Sequence, residues 1–136
     1  MNALKILVVL ALLGFGYHQW SQRERAVAAA ASPPSHTGFV ALPAVAGANA
    51  RVMVIAAEDC PEAAARRADD LAERLARDGI PVTRTHNVSF PAVNGEDELQ
   101  RVNRVMQGEL PIVIVHGRGK ANPTLDEVLA EVRASR

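Results

Sequence analysis

Residues 51–61 read Arg51-Val52-Met53-Val54-Ile55-Ala56-Ala57-Glu58-Asp59-Cys60-Pro61. The run from Val52 to Ala57 is apolar without alternation and has strand length, the pattern of a strand buried on both faces. Pro61 suits the first position of a helix, where its missing N–H has no carbonyl to bond. Beyond it, Ala64, Ala68, Leu71 and Leu75 recur at helical spacing. The intervening Arg66, Arg67, Asp69, Asp70, Glu73, Arg74 and Arg77 make the other face polar, with Asp70–Arg74 and Glu73–Arg77 as supporting i, i+4 pairs. Asp78-Gly79 ends this helix. The stretch therefore predicts a buried strand that hands the chain, through a cysteine, to an amphipathic helix.

The same punctuation continues downstream. Ile80 to His86 is rich in β-branched residues and alternates, which predicts a second strand, with Pro81 at its beginning or on an edge. Asn94-Gly95 opens a second helix with Leu99, Val102 and Met106 facing inward, and Gly108 closes it. Leu110-Pro111 leads into Ile112-Val113-Ile114-Val115, another buried strand, and His116-Gly117-Arg118 makes a tight turn into a short strand at Gly119 to Ala121. Asn122 is the expected cap of a last helix, with Pro123 in its first turn and Leu125, Val128, Leu129 and Val132 on one stripe. The order is β-α-β-α-β-β-α: an α/β domain over residues 50–136 with a four-stranded mixed sheet and three helices.

Upstream of residue 50 the composition changes. Residues 6–22 carry no charge, and 17 residues span ~25 Å as a helix, just short of a ~30 Å bilayer core. Tyr17 and Trp20 mark the far end, and Arg23, Glu24 and Arg25 stop the run. Residues 1–22 thus read as a membrane anchor formed by a hydrophobic helix, or as a signal segment cut near Ala29-Ala30-Ala31. Residues 23–49, rich in Ala, Pro and Ser, read as a tether, in which Phe39, Val40 and Leu42 either add an edge strand or pack on the domain. An anchor of this kind places the protein in an inner membrane with a single pass and the domain in the periplasm. Export after cleavage and a cytoplasmic face are the alternatives.

Composition excludes several function classes. The 136 residues carry 15 Lys plus Arg and 15 Asp plus Glu, a net charge of zero, without the basic excess of nucleic-acid binders. Hydrophobic residues make up 49%, too many for a disordered chain. A single cysteine allows no internal disulfide and no four-thiolate zinc site. His18, His36, His86 and His116 show no ligand spacing, so no metal site is expected. His86 and His116 read as edge and turn residues, and Arg66-Arg67 as a surface pair.

Three segments together resemble the thioredoxin fold, and within it the glutaredoxins. They are the strand delivering Cys60-Pro61 at a helix start, the Gly108-Glu109-Leu110-Pro111 segment before a buried strand, and the His116-Gly117-Arg118 turn followed by Pro123 to Val128. The resemblance implies a thioredoxin-like arrangement with a cis bond between Leu110 and Pro111. It implies a thiol–disulfide oxidoreductase in which Cys60 is the nucleophile. Pro61, Leu110, Pro111, Ala121 and Asn122 would contact substrate, and glutathione, or a protein thiol, would be the co-substrate, with no other cofactor. The pattern departs from the family at four places. Ala63 stands where a second cysteine is usual, no aromatic residue adjoins Cys60, Glu109 replaces a small hydroxyl residue, and Ala121-Asn122 replace a glycine pair.

The chemistry of Cys60 can be argued from the residues alone. A helix amino terminus favours the thiolate, the nucleophilic form. Glu58, Asp59 and Glu62 oppose it by repulsion. Each effect is of order 1 kcal/mol in exposed positions. Two readings follow: a single-cysteine redox protein, or a non-catalytic thioredoxin-fold module that docks a partner at the membrane.

Overall fold

Val52–Ile55 forms β2, an interior strand of the sheet, and all four of its residues are buried. The structure is a computed structural model that describes residues 35–46, 52–59 and 61–136. The remaining elements are β1 (Val40–Ala41), α1 (Glu62–Arg77), β3 (Val82–Thr85), α2 (Glu96–Met106), β4 (Ile112–Val115), β5 (Arg118–Ala121) and α3 (Leu125–Ala134). The strands lie in the order β1-β5-β4-β2-β3. β2 and β3 are parallel, as the intervening α1 requires, and β4 is antiparallel to both β2 and β5. The architecture is α/β, with a mixed sheet and three helices among the described residues.

The two faces of the sheet carry separate cores. On one, Val52, Val54, Val113 and Val115 pack against Ala68, Leu71 and Leu75 of α1 and Val128 and Val132 of α3. On the other, Met53, Ile55, Ile112 and Ile114 meet Val105 of α2. Alternation within β2 and β4 supplies both cores from the same strands, which is why their sequences show no polar face.

Residues 35–46 differ from the expectation of a tether up to residue 49. They are folded onto the domain, and the edge strand is the alternative that forms. Val40 and Ala41 pair antiparallel with Gly119 and Arg118. Phe39 is 0% exposed within the α1–α3 core, and Leu42 and Val45 pack on the other face. Arg118 Nη2 donates to the Phe39 carbonyl (2.9 Å) and Lys120 Nζ to that of Thr37 (2.8 Å). Glu131, 3% exposed, accepts from Thr37 Oγ1 at 2.7 Å on one oxygen and is ion-paired with Arg118 at 3.0 Å on the other. A buried carboxylate demands such partners. The arm also removes the β5 edge from solvent.

Two helix details are corrected. Leu99, expected inside, is 47% exposed, and Val105 takes the inner position beside Val102. Arg101 donates to the Ala41 carbonyl (3.2 Å), so α2 presents this flank to the arm and turns Leu99 outward. The cap of α3 is Thr124 rather than Asn122: its side chain accepts from Glu127 N while Glu127 accepts from Thr124 N, a capping box. Lys120, bonded to Glu127 at 2.7 Å, holds that carboxyl below its ordinary range, and the Thr124 N–H adds to the effect. The expected surface pairs Asp70–Arg74 and Glu73–Arg77 form at 3.0 and 3.1 Å. His116 and Gly117 both have positive φ, as the two-residue turn between Val115 and Arg118 requires.

The expected hydrophobic helix of residues 6–22, the first part of the tether, residues 47–51 and Cys60 lie outside the described residues. Among the described residues no helix is long and apolar enough to cross a membrane.

Candidate functional site

Pro61 is the N-cap of α1 rather than its first residue, and it is exposed. Its carbonyl accepts from Ala64 N (2.9 Å) and Ala65 N (3.1 Å). The N–H groups at the start of a helix have no carbonyl one turn back, which makes this terminus a place where negative charge is stabilised. Glu58, Asp59, Glu62 and Ala63 are all exposed around it. Glu62 is paired with Arg66 at 3.5 Å, which offsets one of the three carboxylates near position 60.

Leu110 and Pro111 join α2 to β4, and the bond between them is cis. The segment is held from three directions. The Leu110 side chain packs on the α2-side core. The Pro111 carbonyl accepts from Asn122 N at 2.7 Å. The Leu110 carbonyl accepts from Arg67 Nη2 of α1 at 3.0 Å, and the same nitrogen bonds Glu109 Oε1 at 3.2 Å.

The expected substrate residues divide between two faces. Pro111 and Asn122 line an open cleft of about 170 Å³ between α1 and the start of α3. Its floor is apolar, from Leu71, Pro111, Pro123 and Leu125, and its α1 wall carries Arg67, Asp70 and Arg74. Asn122 has φ 44°, a left-handed conformation that asparagine tolerates better than most residues. Ala121 packs instead with the α2-side core. There Gly108 passes so close that a Cβ on it would lie 2.3 Å from the Ala121 Cβ. The side chain of Leu110 also packs on that core, and its carbonyl is bonded to Arg67, a residue of the cleft wall.

Arg67 was legible only as half of a surface pair. Arg67, Asp70 and Arg74 do recur at steps of three and four beside the buried Ala64, Ala68, Leu71 and Leu75. They form a second stripe on the flank of α1, and that spacing is the signal that could have found the cleft wall. His86 is exposed, with Nδ1 3.1 Å from the Ala56 carbonyl. Among the described residues no group of three His, Cys, Asp or Glu side chains could hold a metal ion. The geometry is that of an open groove with an apolar floor and a charged α1 wall.

Comparisons with protein-family models, with curated proteins and with solved structures find no match to this chain.

Proposed function

We propose that the domain is a divergent thioredoxin-fold protein of glutaredoxin type that exchanges thiols and disulfides through Cys60. The observation that carries the reading is the sheet order β5-β4-β2-β3, with α1 and α3 on one face and α2 on the other. The Leu110-Pro111 segment, tied to α1 by Arg67, adds to its support. The Cys60 thiolate attacks a mixed disulfide between a substrate thiol and glutathione. A bond forms from Cys60 to the glutathione sulfur, and the substrate leaves as its thiolate. A second glutathione thiolate then attacks that bond, releasing oxidised glutathione and the Cys60 thiolate. With Ala63 in place of a second cysteine, the external thiol is required. The apolar run 6–22 would keep this chemistry at a membrane.

The test is alkylation of Cys60 in the native protein as a function of pH, with Cys60→Ser as the blank. The expected thiol titrates at or below the free value of ~8.5 and forms one mixed disulfide with oxidised glutathione. Turnover in a glutathione-coupled assay is expected to be slow, because Ala121 and Asn122 stand in place of glycines. A thiol that reacts only after denaturation refutes the redox reading. The groove would then serve the second reading, a docking module.

A further inference from the structure

We propose that Arg67 is a positioning residue for ligand at this groove, acting through the Leu110 carbonyl. The inference rests on the reading of the Leu110-Pro111 segment as the backbone edge that meets an extended substrate. One nitrogen, Nη2, donates both to Leu110 O at 3.0 Å and to Glu109 Oε1 at 3.2 Å. These acceptors belong to adjacent residues, so a single guanidinium N–H₂ fixes the direction of the carbonyl. A carbonyl has two lone pairs, and the arginine takes one, so the other is left for a ligand N–H.

Stability does not explain the arrangement. The Arg67 and Glu109 side chains are 44% and 68% exposed, and exposed ion pairs contribute little to folding. Leu110 and Pro111 are already anchored by the α2-side core and by Asn122 N. What Arg67 adds is orientation of one acceptor beside the cleft that it also lines. Glu109, 3.2 Å from the same nitrogen, holds the guanidinium in place.

The probe is S-methylglutathione, which has peptide N–H groups and no exchangeable thiol. Its binding to the full chain is followed by the Leu110 carbonyl carbon shift, and exchange is measured separately with a glutathionylated peptide. Arg67→Ala is expected to weaken probe binding about 5- to 10-fold, the scale of one lost hydrogen bond. It should raise KM by the same factor, leave kcat within about twofold, and leave the melting temperature nearly unchanged. Arg67→Lys, with a point charge in place of a fork, should recover part of the binding. Arg67→Ala binding within twofold of the parent overturns the proposal, as does a fall in kcat at constant KM. A parent that binds the probe but does not exchange retires the redox reading alone. A parent that does not bind the probe retires both.

Discussion

Replacing Phe39 with Ala tests whether residues 35–46 belong to the cooperative unit or merely lead up to it. The ring is 0% exposed and lies in the core shared by β2, β4, α1 and α3. Phe→Ala in such a position removes the transfer energy of the ring and leaves a cavity, together about 3–5 kcal/mol. A domain of this size is stabilised by only about 5–15 kcal/mol in all. At about 4–8 °C per kcal/mol for small domains, the loss corresponds to a fall in melting temperature of at least about 12 °C. The assay is thermal and urea unfolding of the full chain followed by circular dichroism, with the exposed His36→Ala as control. A chain starting at residue 50 should fare worse still, because it also loses Thr37, the partner of Glu131, and the strand covering β5. A Phe39→Ala shift below about 4 °C, under 1 kcal/mol, would refute the reasoning and return the arm to the status of a tether.

Two further outcomes follow from the packing and the electrostatics. Gly108→Ala drives a Cβ into that of Ala121 at 2.3 Å and should cost about 1–3 kcal/mol; adding Ala121→Gly should restore most of it, so a double-mutant cycle without coupling would refute the contact. Glu127 has its carboxyl held low by Lys120, so its folded value lies below its unfolded one. Its contribution is therefore present above the unfolded value, declines as pH falls through the ordinary carboxylate range, and is gone below the folded value. Glu127→Gln should flatten that part of the stability-against-pH curve, and an unchanged acid limb would refute the assignment.

The strands and helices were legible because their signals are local. Four buried residues in a row at β2 and at β4, a stripe at 64, 68, 71 and 75, and a turn centred on His116-Gly117 are each written within one segment. The cap of α3 was misplaced by two residues because Asn122 and Thr124 are both good caps. Thr124 takes the position because Glu127 stands three residues on and completes a capping box with it.

What the sequence by itself determined is the element order and class, since period and punctuation are properties of neighbouring residues. Tertiary structure alone decided the rest. Phe39 is one aromatic residue in a stretch of Ala, Pro and Ser, and its burial depends on β5 and α3, about 80 residues or more further along the chain. Arg67 resembles its neighbour Arg66 in every local respect, yet it meets Leu110 while Arg66 meets Glu62. Ala121 and Asn122 are adjacent, yet Ala121 ends β5 against the α2 core while Asn122, past the strand and left-handed at φ 44°, lines the cleft. Local periodicity says which side of an element is buried. Which distant residue it meets is set only when the sheet order brings the elements together.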